Sequence, residues 1–147
     1  MDICLIHTGG TIGMAPSPEG LVPERGRVEH AVAALMPKGA RLTTHVFDPL
    51  LDSASVGPAD WNRMLDLVDA DPEASILITH GTDTMSFTGA ALAAALAGLD
   101  RRVMLCGAMA PLGAGEGARA NLTLAVAMSL APGWSGVKCA FAQKVLE

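Results

Sequence analysis

With 147 residues and a formal charge of −5, the chain is long enough to bury one core of its own, and no Lys/Arg cluster marks a polyanion-binding face. Half of the residues are apolar but only 3% are aromatic, so Ala, Val, Leu, Ile and Met must fill the interior. Nucleic acid is excluded as an expected partner, and the longest apolar stretch, Gly89 to Leu99, is too short and too Ala-rich to cross a bilayer.

The first strand-like run, Asp2 to His7, leads into Thr8-Gly9-Gly10-Thr11-Ile12-Gly13. Paired glycines allow a sharp reversal after a buried strand, because they take backbone angles closed to other residues. Positions 13–27 then carry Pro16, Pro18, Gly20 and Pro23 without periodicity and read as a loop, either a mobile lid behind Thr11 or a plain connector. Further strands are expected at Leu42 to Phe47, Ser75 to Thr79, Arg102 to Cys106 and Gly136 to Ala142. Helices are expected at Val28 to Met36, Pro58 to Ala70, Asp83 to Leu99 and Ala118 to Ala131. Most strands are continuously apolar, as strands covered on both faces are.

Strand and helix alternate, which predicts a single α/β domain over 1–147. Its fold is a doubly wound, mostly parallel sheet between helices, with the flavodoxin-like strand order 2-1-3-4-5. In such sheets the ligand crevice lies beyond the carboxyl ends of the first and third strands. Thr11 follows the first, and the similar turn His80-Gly81-Thr82-Asp83-Thr84 follows the third. Asp52-Ser53 and Gly107-Ala108 follow the second and fourth strands and would rim the same edge.

A threonine hydroxyl needs a base to become a nucleophile. Lys144 is a candidate if burial and a carboxylate partner such as Asp83 set its protonation state, two influences that oppose each other. Backbone N–H groups of the glycine turns suit an oxyanion of acyl transfer. Thr82 and Asp83 also read as N-cap and first-turn residues of the third helix, worth roughly 1 kcal/mol. Gly9-Gly10 alone would equally shape a phosphate cradle, but neither G-x-G-x-x-G nor G-x-x-x-x-G-K-[ST] occurs. His7 and His80 read as satisfied core or turn histidines, while His30 and His45 have no partners at metal spacing. The odd set Cys4, Cys106 and Cys139 lies in strand-like runs and fits free thiols in a reducing compartment. With no signal-peptide pattern at the start, a cytoplasmic protein is expected, without metal or cofactor.

Thr8-Gly9-Gly10-Thr11-Ile12 and His80-Gly81-Thr82-Asp83-Thr84-Met85 resemble the two signature motifs of the bacterial-type L-asparaginases. Further similarity runs through Pro49-Leu50-Leu51-Asp52-Ser53, Asp60-Trp61, Gly107 to Leu112 and Asn121-Leu122, and the version here is most similar to the cytoplasmic type. The resemblance implies hydrolysis of the side-chain amide of L-asparagine to aspartate and ammonia through an acyl-threonine. It makes Thr11 the nucleophile and Thr82, Asp83 and Lys144 the group that manages protons and water. Asp83 would also hold the substrate amino group and Ser53 its α-carboxylate, with Asp52, Gly10 and Ala108 nearby.

Three departures stand out. Leu21 occupies the place of the lid tyrosine, in a chain with no tyrosine at all, and Ala54 replaces a polar residue after Ser53. Family members also continue into a second domain that completes the site across a dimer interface. This chain read alone is therefore expected to have an open site with weak substrate binding and to form a homo-oligomer, a dimer or tetramer. Glutamine as substrate, an amidotransferase role, and a non-catalytic amino-acid-binding module are the competing readings.

Overall fold

The computed structural model describes residues 2–147. Strand β1 spans Ile3–Gly9, and its seven residues are all buried. A short antiparallel hairpin follows, β2 (Met14–Ser17) with β3 (Gly20–Pro23), and then helix α1 (Arg27–Leu35). β4 (Leu42–Leu51), α2 (Pro58–Ala70), β5 (Ser75–Thr79), α3 (Met85–Ala95), β6 (Arg102–Cys106), α4 (Gly117–Leu130), β7 (Gly136–Phe141) and β8 (Lys144–Leu146) complete the chain. The sheet order is β4-β1-β5-β6-β7-β8, parallel throughout except for the β7–β8 pair. Taken by its five parallel strands in chain order, this is the expected 2-1-3-4-5.

The two faces of the sheet are set by the two-residue period of the strands. Ile3 and Leu5 of β1, Leu77 of β5 and Met104 of β6 pack under α1 and α4, against Val28, Val32, Leu122, Ala125 and Val126. Cys4, Ile6, Ile76, Ile78, Val103 and Leu105 point the other way, against Met64 and Val68 of α2 and Met85 and Leu92 of α3. Truncating such a side chain, for example Met64→Ala, is expected to cost about 2–5 kcal/mol through lost transfer energy and the cavity left behind.

Sequence and structure differ at several places, and helix α3 also ends at Ala95 where Leu99 was expected. Positions 13–27 are not an irregular loop: Met14 pairs with Pro23 and Ser17 with Gly20, because Gly20 at φ +117° closes a tight turn between two short extended runs. α3 begins at Met85, so its N-cap is Thr84, and Thr82 and Asp83 stay outside the helix in the turn. β4 continues four residues past Phe47, and β8 is an additional strand begun by the reversal at Ala142 and Gln143, both in the left-handed region.

Candidate active site

The carboxyl edge of the sheet is packed so closely that side chains are excluded at its centre. A Cβ built on Gly10 would stand 2.6 Å from the Gly81 nitrogen, and one built on Gly81 would stand 2.5 Å from Ser53 Oγ. A third, built on Gly107, would meet the His80 carbonyl oxygen at 2.5 Å. Glycine is required at each position: the ends of β1, β5 and β6 meet there as backbone, and the Ser53 side chain of the turn after β4 fills the space beside Gly81.

Thr11 directly follows Gly10 and opens a single 3₁₀ turn, Thr11–Gly13, closed by the Gly13 N–H donating to the Gly10 carbonyl at 3.2 Å. Thr11 itself is half-buried, whereas Ile12 is fully buried beneath it. The Ile12 carbonyl accepts the Leu112 N–H at 3.1 Å, and the Gly13 carbonyl accepts the Glu24 N–H at 3.0 Å. The turn is therefore stitched both to the loop after β6 and to the return of the β2–β3 hairpin.

Thr82 directly follows Gly81 and is also half-buried. Its hydroxyl faces the sulfur of Met109 at 3.5 Å, and its methyl lies beside Gly107. Asp83 is exposed. The Thr84 hydroxyl donates to the Ser53 carbonyl at 2.6 Å, which ties the β5 turn to the turn after β4. Ser53 is buried, while Asp52 is exposed and its Oδ1 accepts the Ala54 N–H at 3.0 Å. Ala108 is buried next to Gly107.

Lys144 pairs with Phe141 at the start of β8, so it stands at the same carboxyl edge, one strand beyond β7. The hairpin that carries it is anchored by Asn121: Oδ1 accepts the Gln143 N–H at 3.3 Å and Nδ2 donates to the Gly107 carbonyl at 3.0 Å. Asp83, weighed from sequence as one carboxylate that could partner Lys144, forms no ion pair with it among the described residues. Both side chains are exposed and solvated, and among the described residues the ion pairs of the chain lie elsewhere.

Two imidazoles lie under the site. His7 Nδ1 shares a hydrogen bond with Thr79 Oγ1 at 2.7 Å, and the Thr8 hydroxyl donates to the Thr79 carbonyl at 2.9 Å. The other ring nitrogen of His7, Nε2, is buried beside Gly13 without a partner among the described residues, so the expectation of a satisfied histidine holds for only half of this ring. Burial lowers the pKa of His7, opposed by Glu29 and assisted by Arg25. Burial likewise lowers that of His80, opposed by its bond to Gly81 and by Asp60.

All three cysteines are free, and desolvation pushes Cys106 up to about 12, leaving it an inert thiol. Among the described residues, no group of three or more His, Cys, Asp or Glu stands close enough to hold a metal ion, and no helix is long and apolar enough to cross a membrane.

Sequence reasoning gave no role to Asn121, Thr84 or Met109. Asn121 had a readable signal, since a buried amide in an apolar helical run is costly unless a tertiary partner compensates it.

A family model described as "Asparaginase, N-terminal" matches residues 2–147. L-asparaginase 1 of Escherichia coli is 38% identical over 118 residues, a match covering 76% of this chain and 35% of that protein. The crystal structure of L-asparaginase I from Vibrio cholerae superposes with a TM-score of 0.84 at 32% identity, covering 98% of this chain and 44% of the other. The thermostable L-asparaginase of Thermococcus kodakarensis gives 0.83 at 30% identity, with 99% and 45% covered. The chain thus spans less than half the length of these relatives. A match over 2–147 together with these superpositions makes the family plain: the chain belongs to the asparaginases, in their N-terminal domain.

Proposed function

We propose that this chain carries the catalytic threonines of an L-asparagine amidohydrolase. The observation that supports the reading best is the backbone contact of Gly10 with Gly81, which sets the turn of Thr11 against the turn of Thr82. The domain's membership of the asparaginases supplies the substrate class.

In this reading Thr11 Oγ attacks the side-chain amide carbon of asparagine while its proton passes to the Thr82, Asp83 and Lys144 group. Backbone N–H groups of the glycine turns stabilise the oxyanion, where fixed dipoles need no reorganisation. Collapse of the tetrahedral intermediate breaks the C–N bond, and the returned proton lets the nitrogen leave as ammonia. Water then attacks the Thr11 ester, and the Thr11 hydroxyl and aspartate are regenerated. Ser53 takes the substrate α-carboxylate and Asp83 its amino group, with Asp52, Gly10 and Ala108 around them.

The reading extends to context. Free cysteines accord with a reducing, cytoplasmic setting. Phe87 of α3 and Met109 at the site edge are 67% and 76% exposed, surface that accords with a homo-oligomer. Acid quench of the chain during turnover of asparagine, followed by peptide mass analysis, tests the mechanism. An acyl adduct on the peptide containing Thr11 is expected, and an adduct on the Thr82 peptide would overturn the assignment of the nucleophile.

A further inference from the structure

A hydrogen-bond chain that the reaction above does not use runs beneath the β5 turn. Trp61 Nε1–H can only donate, and it does so to Thr88 Oγ1 at 3.0 Å. Thr88 Oγ1 lies 2.9 Å from His80 Nε2, and His80 Nδ1 lies 2.7 Å from the Gly81 carbonyl oxygen. A carbonyl oxygen only accepts, so Nδ1 carries the proton. Nε2 then offers its lone pair and takes the Thr88 hydroxyl proton. Each link thereby has one direction, running from α2 through α3 to the peptide that precedes Thr82. His80 and Thr88 are completely buried, so no solvent competes for these groups.

The peptide at the end of the chain is the one most in need of restraint. Position 81 must be glycine, because a Cβ there would collide with Ser53. Glycine leaves the backbone soft at the residue whose ψ aims Thr82. The hydrogen bond from the preceding residue's imidazole returns the restraint that the missing Cβ cannot supply. Its partners on the other sides are Gly10 against the Gly81 nitrogen and Ser53 against its Cα.

We propose that His80 is a positioning residue: its Nδ1–H fixes the Gly81 carbonyl and so holds in place the turn that carries Thr82, while Trp61 and Thr88 lock the imidazole in that tautomer. The inference rests on the reading of Thr82 as part of the reaction. A buried histidine that merely filled space would be indifferent to tautomer and to the identity of its acceptor.

The test combines imidazole ¹⁵N NMR of the full chain at neutral pH with kinetics of paired variants. The wild type is expected to show His80 protonated at Nδ1 only. Thr88→Val removes the donor to Nε2 and is expected to mix the tautomers and to shift the Gly81 and Thr82 amide signals. His80→Leu is expected to lower kcat about 100-fold with little change in KM, the size of a misplaced reacting group. His80→Asn, whose amide can still donate to the Gly81 carbonyl, is expected to recover much of that loss. An Nε2–H tautomer in the wild type would overturn the proposal, as would equal kcat for the Asn and Leu variants. Should His80→Leu not fold, Thr88→Val and Trp61→Phe decide by the same signals. A wild-type chain inactive on asparagine would sink the amidohydrolase reading while leaving the tautomer and amide shifts to decide whether His80 positions the turn.

Discussion

Gly10 and Gly81 touch backbone to backbone, with the Gly81 nitrogen and Cα at 2.6 and 2.7 Å from where a Gly10 Cβ would sit. Gly10 also has φ +90° and ψ 165°, a region that is essentially glycine's alone. Gly10→Ala therefore meets both strain and collision and is expected to abolish amide hydrolysis. Gly20→Ala, at φ +117° with open space around it, meets only the strain, about 1–3 kcal/mol, and should keep activity with a lowered Tm. Equal activity of the two variants would contradict the close approach.

Ser53 is buried with its hydroxyl against Gly81 and its carbonyl held by Thr84. Since the carbonyl bond survives truncation, Ser53→Ala removes only the hydroxyl that is assigned to the substrate carboxylate. KM for asparagine should rise roughly tenfold, the worth of one hydrogen bond to a charged group, with kcat changed less. Steady-state kinetics check this, and a fall in kcat at constant KM would reassign Ser53 to the chemical step.

Asn121 ties the turn of the Lys144 hairpin to the Gly107 turn after β6 through both ends of its amide. Asn121→Leu keeps the volume and strands the Gly107 carbonyl and the Gln143 N–H. Gly107 is buried whereas Gln143 is exposed, so the unpaired Gly107 carbonyl carries the cost, about 1–3 kcal/mol, and the Tm should drop by several degrees. If Lys144 acts in the reaction, kcat should fall as well, and an unchanged kcat would detach the hairpin from catalysis.

The buried imidazoles set an acid limit. Burial holds the pKa of His7 and of His80 below 6.5 in the folded chain. Unfolded, both take a proton as the pH falls through the ordinary value, so the unfolded state binds more protons and gains relative to the folded one. Stability is fully present above that value and is lost as the pH falls below it toward the lower, folded values. Tm measured from about pH 7.5 to about pH 5 should decline, and His7→Gln should flatten the decline. A Tm that stayed level or rose on acidification would contradict neutral, buried imidazoles.

Much of the fold was legible because it rests on local signals. α2, β5 and β6 have the expected bounds: Pro58 starts the helix, and the two strands are short apolar runs between polar residues. Alternation and handedness pointed to a doubly wound sheet, and the flavodoxin-like order taken for it is the one the structure has. Less legible were features decided by tertiary contacts. The β2–β3 hairpin has four proline or glycine residues and no periodic pattern, so only pairing reveals it. The start of α3 moved past Thr82 and Asp83 because Thr84 is drawn to the Ser53 carbonyl, 31 residues away. The turns of Thr11 and Thr82 could be placed together from topology, but whether a carboxylate such as Asp83 partners Lys144 depends on side-chain directions that no spacing encodes. The chain from Trp61 to Gly81 joins residues of two helices and a turn, a relation the linear order conceals.

The central claim is that Thr11 is the nucleophile of an amidohydrolase, and ammonia release from L-asparagine by the wild-type chain beside Thr11→Ala tests it most directly. Thr11 is half-buried at the start of a turn held by main-chain hydrogen bonds, so its truncation should leave the Tm nearly unchanged. Ammonia release by the wild type that disappears in Thr11→Ala, with both proteins folded, is the predicted result. Equal release by the two, or none from the wild type, would contradict it.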